Sequence, residues 1–415
     1  MPLSRHLVFW SLSLLIGWGS GCDSPTDRFP PNELFARVVV HPFSGEFERA
    51  STDVGRLVES LFGTPDSPSI PDRLLAAGDG EPLLDPQRLA RASGPVSSDR
   101  EGLNFGIYRA QCVVCHGLSG DGFGPAAALQ NPYPRDFRSG VFKYKSTTRG
   151  SKPTRDDLRR LLVHGIPGTG MPSFARQPED DREALIDYLI YLSIRGEVER
   201  RLLAWSVEEL GYGEADGPTS AEDSLVLLDS GRLASDELAE QVDEILEQVV
   251  DSWLRPEPVA VPTPPTWDVS ELASAAARGR ELFHGPLANC ASCHGTDGDG
   301  SAVTLDFDDW TKEFTTRLGV APSDPIVRDF RRAGALRPRP ISPRKLSWGN
   351  FRGGSDPDSL YRLLTVGIAG TPMPGLLVTA EPGGVGVTPD QVWDLVAYLQ
   401  SLSADAPAPA PRSAE

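Results

Sequence analysis

Positive charge is in short supply in this chain of 415 residues: 40 Lys and Arg stand against 58 Asp and Glu, a net charge of -18. Nucleic acid is held mainly by Lys and Arg neutralising phosphates, so this balance argues against it as a partner. Cysteine is scarce as well. The five fall as Cys112 with Cys115, Cys290 with Cys293, and Cys22 alone, leaving no further pair for a structural disulfide. Methionine is rarer still, at positions 1, 171 and 373. The N-terminal apolar run, residues 7–16, is too short for a membrane-spanning helix. At 39% hydrophobic residues the chain still has material for packed cores, and its length allows two or three domains.

The scarce residues are placed in a pattern. Cys112-Val113-Val114-Cys115-His116 recurs as Cys290-Ala291-Ser292-Cys293-His294. One Cys-x-x-Cys would suit a redox dithiol or half a zinc site. Cys-x-x-Cys followed directly by His is the spacing of covalent c-type haem attachment. On a helix, positions i, i+3 and i+4 share one face, so two thiols and an imidazole approach the ring together. Each motif is followed downstream by a Gly/Pro-rich loop holding one of the internal methionines: Gly168-Thr169-Gly170-Met171-Pro172, and Gly370-Thr371-Pro372-Met373-Pro374. A core-filling Met is not expected twice in the same kind of loop. Met171 and Met373 are therefore the expected distal iron ligands, opposite proximal His116 and His294. His/Met ligation raises the reduction potential and leaves no open iron position.

The repeat extends beyond the motifs. Cys112 maps to Cys290 at an offset of 178, Met171 to Met373 at 202, Gly140 and Phe142 to Gly349 and Phe351 at 209, and Tyr188 and Leu192 to Tyr398 and Leu402 at 210. The order is kept while loops change length, and the second copy gains 31 residues around positions 306–337. Capping and periodicity predict helices near 154–164 and 179–194 in the first copy, and near 270–283 and 389–402 in the second. The chain accordingly divides into a signal at 1–22, an N-terminal arm at 23–99, a first haem unit at 100–200, an insert at 201–265, a second haem unit at 266–404 and an Ala/Pro tail at 405–415. The arm reads as extended, with one helix near 53–62. Between residues 200 and 258, 15 acidic residues and 4 arginines give -11, and Leu238, Val242, Ile245, Val249 and Trp253 form a helical stripe. This insert is expected to brace the haem units and fix their separation. The prolines at 256–265 predict a stiff spacer.

This combination resembles the class I cytochrome c family, in a tandem dihaem, membrane-anchored bacterial form. The resemblance covers about 240 residues in two copies. It implies an all-α fold of two class I cytochrome c-like haem domains, joined here by the acidic helical insert and preceded by the arm. It implies two covalent haem c groups, with Cys112, Cys115, Cys290 and Cys293 as attachment points. In such domains the N- and C-terminal helices pack together and one haem edge stays exposed for electron exchange.

Other residues are candidates by chemistry. Arg135, Lys143 and Lys145 lie in a basic stretch and are suited to haem propionates, since carboxylates attract charge-assisted donors. Arg339, Arg352 and the indole N–H of Trp348 are the expected counterparts in the second unit. His164, His284 and His41 read as structural rather than ligating. The N-terminus, with Arg5 and His6 before the apolar run and Gly19-Ser20-Gly21 before Cys22, resembles a bacterial lipoprotein signal. Gly19 replaces the usual Leu of that signal. Lipidation of Cys22 would place the protein on the periplasmic side of a membrane. The leading function is electron transfer between respiratory redox partners: a reductase or dehydrogenase on one side, an oxidase or soluble carrier on the other. The alternative is a dihaem peroxidase-like oxidoreductase with one substrate-accessible haem.

Overall fold

A computed structural model describes residues 27–40, 47–75, 82–94, 106–214, 216–301, 307, 318–379 and 385–404. The signal with Cys22, the tail 405–415 and His41 lie outside the described residues. Every regular element among the described residues is helical, and strand pairing is limited to isolated bridges.

The N-terminal arm corrects the expectation of an extended tether. It folds as α1 (Glu33–Val39), α2 (Phe47–Phe62), α3 (Asp72–Leu75) and α4 (Pro86–Ala92). In α2 the residues Phe47, Ala50, Val54, Leu57, Val58 and Phe62 are buried at helical spacing, so the arm has an apolar face to cover. It covers that face against the first unit. Ala36, Val54, Val58, Phe62, Leu84 and Leu89 share one continuous core with Leu158, Leu185, Tyr188 and Leu192. Each Val, Leu or Phe among them taken from water contributes roughly 1.5–3 kcal/mol.

The first unit contains α5 (Ile107–Gln111), α6 (Val113–His116), α7 (Arg155–His164) and α8 (Glu179–Glu209). Thr154 is the N-cap of α7, and Asp157 closes a capping box with it. Helix α8 runs 31 residues, well past the expected end near 194. The added turns carry charged residues that look like surface in the sequence but are buried and paired. Glu199 accepts from Arg195 at 3.2 Å and from the Asn32 N–H at 2.9 Å. Glu197 accepts from Lys152 and, at 2.8 Å, from the Trp253 indole N–H. Asp187 accepts the Asp85 N–H at 2.8 Å and pairs with Arg155 at 2.5 Å. These carboxylates tie the arm and the insert to α8.

The insert contributes α9 (Asp236–Leu254), which packs against α8; of its predicted apolar stripe Val242, Val249 and Trp253 are buried in the first core and Ile245 is partly buried against it. It therefore joins the core of the first unit. The proline segment is stitched to the same unit: Val259 N–H donates to Ser146 O at 2.8 Å, and Thr148 N–H to Glu257 O at 2.9 Å.

The second unit contains α10 (Val269–His284), α11 (Ala291–His294), α12 (Val327–Arg332), α13 (Pro357–Val366) and α14 (Pro389–Ala404). Helices α10 and α14 cross at Gly279, where a Cβ would lie 2.0 Å from the Asp394 carbonyl oxygen. Arg278 locks the crossing through Asp394 at 2.6 and 2.9 Å. The described part of the lengthened segment packs back on the rest of the molecule. Val327, Phe330, Ala335 and Leu336 share a small core with Leu34 and Val38 of α1 and with Ala127. Direct packing thus holds the two units together.

Candidate haem sites

In the first unit, Cys112 begins a single helical turn. His116 N–H donates to Cys112 O at 2.8 Å, and the turn stops at Gly117, whose φ of 74° suits glycine. The chain then turns back on itself, with Gly122 N–H donating to the His116 backbone carbonyl at 2.7 Å. His116 Nδ1 lies 3.1 Å from the Arg135 carbonyl oxygen, and its ring stacks on Phe137 at 4.5 Å. A carbonyl only accepts, so Nδ1 carries the proton and the Nε2 lone pair is left for a metal. Burial lowers the imidazole pKa to about 4, which keeps the ring neutral near pH 7.

Cys112 and Cys115 are not joined in a disulfide. Burial pushes Cys112 up to about 12, the reverse of the depressed value a redox dithiol needs. Among the described residues, no group of three or more His, Cys, Asp or Glu side chains is placed to hold a metal ion, so a zinc site finds no support.

Both thiols, His116 and Met171 line one mostly apolar cavity of about 370 Å³, walled further by Phe137, Phe142, Leu158, Leu162 and Phe174. The fit to a haem is chemical as well as spatial: two thiols and a neutral imidazole share an apolar slot with a thioether. The Met loop is a tight structure. Ile166 N–H donates to Met171 O at 3.1 Å, and Met171 N–H donates to Thr169 Oγ1 at 3.1 Å. Thr169 in turn donates to Ile166 O at 2.7 Å.

The second unit reproduces this local geometry. His294 N–H donates to Cys290 O at 2.9 Å, Gly300 N–H to His294 O at 2.8 Å, and His294 Nδ1 lies 3.1 Å from Arg344 O. Burial lowers the pKa of His294 and raises that of Cys290 to about 11. Its Met loop repeats the bonds: Ile368 N–H to Met373 O at 3.2 Å, Met373 N–H to Thr371 Oγ1 at 3.2 Å, and Thr371 Oγ1 to Ile368 O at 2.8 Å. Cys290, Leu346, Phe351 and Leu376 pack against the core of this unit.

The candidate propionate residues separate. Arg135 and Lys143 line the first cavity. Lys145 does not: its ammonium closes a turn by donating to Thr147 Oγ1 at 3.1 Å and Ser151 O at 2.7 Å. Arg339 was expected beside the second haem and is instead turned to the first unit. It donates to Gln130 O at 2.5 Å and lies 3.8 Å above the Tyr133 ring, drawn by that π-face. Arg352 also crosses over, to the Gly168 carbonyl at 3.3 Å. Trp348 is 66% exposed under the Lys345 ammonium rather than enclosed. Arg344 is the residue the sequence reading missed. The offset of 209 that relates Gly140 to Gly349 also relates Arg135 to Arg344, and both carbonyls hold the adjacent histidine. Of the other histidines, His164 is exposed at the end of α7, and His284 has both ring nitrogens near carbonyls, of Arg280 at 2.8 Å and Thr296 at 2.9 Å.

Sequence comparison matches the chain to the cytochrome c family model over residues 105–193 and 276–403. No curated protein sequence matches it. Among solved structures, a chain of the Kuenenia stuttgartiensis reducing HAO-like protein complex is similar at 22% identity with a TM-score of 0.44. That likeness covers 74% of this chain and 98% of the other, and is too distant to bear on function.

Proposed function

The chain belongs to the cytochrome c family and carries two covalently attached haems c, and we propose that it passes electrons between exported redox proteins through two His/Met-ligated irons. The observation that carries this reading is the first cavity, where Cys112, Cys115, His116 and Met171 come together from separate stretches of chain. The matching bonds around Cys290, His294 and Met373 extend it to the second unit.

When bound, each haem supplies an iron that exchanges one electron. The chain's own residues determine the rest. Cys112 and Cys115, like Cys290 and Cys293, would hold the ring through thioethers. His116 and His294 would ligate through Nε2, with tautomer and ring orientation fixed by the Arg135 and Arg344 carbonyls. Met171 and Met373 would close the remaining position. Phe137, Phe142 and Phe174 keep water from the first pocket, and Arg135 and Lys143 would neutralise propionate charge.

Export, with lipidation of Cys22 as the membrane anchor, belongs to the same proposal. No helix among the described residues is long and apolar enough to cross a membrane. The partners proposed are a respiratory reductase or dehydrogenase as donor and an oxidase or soluble carrier as acceptor. The visible spectrum of the oxidised protein tests the function. Two low-spin haems with sulfur-to-iron charge-transfer absorption, and no turnover of hydrogen peroxide, are expected. A high-spin component with rapid peroxide turnover would overturn the carrier reading in favour of a dihaem peroxidase. Mass spectrometry of the mature N-terminus tests the anchor, which an unmodified Cys22 would rule out.

A further inference from the structure

The two Met loops are held by side chains from opposite units. Arg149, in the first unit, donates from Nη1 to the carbonyl of Met373 at 2.8 Å and from Nη2 to that of Thr371 at 2.8 Å. Arg352, in the second unit, donates from Nη2 to the carbonyl of Gly168, three residues before Met171, at 3.3 Å. The two arginines stand 22 and 21 residues ahead of the methionines of their own units. By the offset of 209 Arg352 corresponds to Lys143, so the two arginines are not equivalent positions of the repeat, yet each reaches across to the opposite unit.

The surrounding contacts show how closely the loops are joined. Gly370, from the second Met loop, lines the first haem cavity. Gly168, from the first, sits where a Cβ would lie 3.2 Å from both Arg344 and Asn350 of the second unit. Arg344 is also the residue whose carbonyl holds His294. The first haem cavity is thus in contact with the second Met loop, and the first Met loop with the residue whose carbonyl holds His294.

Arg149 is held firmly from behind. Its loop is stitched to the proline segment through Thr148 and Glu257 and to α7 through Ser146, whose N–H donates to Asp157 at 2.9 Å. It is closed from within by Lys145 and by Thr147, which donates to Lys152 O at 2.7 Å. The planar guanidinium fork then presents two N–H groups in a fixed geometry to two carbonyls two residues apart, a pre-organisation that a flexible, compact ammonium lacks. One of those carbonyls belongs to Met373, so the fork fixes the backbone from which the thioether projects.

We propose that Arg149 and Arg352 are reciprocal positioning residues: each leaves its own unit to fix the Met loop of the other, so that the ligation of each iron depends on the opposite unit. This rests on the His/Met ligation proposed above. It places the coupling between the haem units at the Met loops, not in the acidic insert, which packs on α8.

The test uses the full-length haem-loaded protein, with the hyperfine-shifted Met methyl resonances and the two midpoint potentials as readouts. Met373→Ala identifies which signals belong to the second unit. Arg149→Ala, at an exposed position, should shift the Met373 resonances and leave those of Met171 in place. It should also lower the second potential by about a tenfold change in reduction equilibrium, ~59 mV for a one-electron couple. Arg352→Ala should act on Met171 instead. Arg149→Lys keeps the charge but not the fork, and should move the Met373 signals in the same direction as Arg149→Ala. The proposal is overturned if Arg149→Ala affects only its own unit or neither. It is equally overturned if Arg149→Lys matches the unsubstituted protein, because charge alone would then account for the effect. Absence of any Met–iron resonance before substitution would instead refute the underlying ligation.

Discussion

Replacing Gly279 by Ala should destabilise the second haem unit, although alanine is the better helix former. The added Cβ would lie 2.0 Å from the Asp394 carbonyl oxygen, 2.5 Å from its carbon and 2.9 Å from the Tyr398 Cβ. Ordinary contact begins near 3.4 Å, so α10 and α14 would have to part by more than 1 Å. Two of the three obstructing atoms are backbone and cannot rotate away. Overpacking of this kind costs ~1–3 kcal/mol, and the backbone obstruction puts this site at the upper end. Relief of the glycine penalty in a helix returns ~1 kcal/mol. The net loss is then ~2 kcal/mol, a midpoint shift of roughly 8 °C for a unit of this size. Scanning calorimetry of the haem-loaded protein would measure it, read at the transition of the second unit. Ala277→Gly, at an exposed position on the same helix, is the control: it should cost ~1 kcal/mol through propensity alone. A Gly279→Ala protein as stable as the parent, or more so, would refute the steric argument for this crossing.

Other expectations follow the same reasoning. Glu197→Ala leaves the Lys152 ammonium without its buried partner and removes the acceptor of the Trp253 indole; it should cost ~3–5 kcal/mol in urea unfolding and release α9 to proteolysis. Phe330→Ala empties the small core joining α12 to α1, and a loss of ~3–5 kcal/mol should appear as looser association of the two units in small-angle scattering. Asp356 caps α13 by accepting the Ser359 N–H at 2.9 Å. Burial alone would raise its pKa, but the Ser359 hydrogen bonds outweigh burial and hold it below the ordinary carboxylate value. A depressed folded-state pKa means the unfolded chain binds the proton more readily. The cap's contribution is therefore present above about pH 4 and lost as pH falls below it. Asp356→Ala should cost ~1 kcal/mol at pH 7 and flatten that acid limb of the stability profile.

The haem motifs, the Met loops and the closing helices were legible in the sequence because each is local: a fixed spacing, a glycine at positive φ, a cap or a helical stripe. The α8 extension was hidden because Arg195, Glu197 and Glu199 have the composition of a solvated surface, and only their buried partners show otherwise. Packing likewise decided the arm. The stripe from Phe47 to Phe62 is visible in α2, but the surface it covers belongs to residues more than a hundred positions away. Arg344 was within reach of the sequence, since the offset of 209 already related its neighbours. Arg149 was not: its partners are the carbonyls of Thr371 and Met373, which carry no sequence signature.

Redox titration of Met171→Ala and Met373→Ala beside the unsubstituted protein tests the central claim most directly. Two one-electron steps are expected in the parent, with each variant lowering one potential and converting one haem to a form that binds an added ligand. An unchanged pair of potentials in either variant, or ligand binding by the parent, would contradict closure of both irons by His and Met.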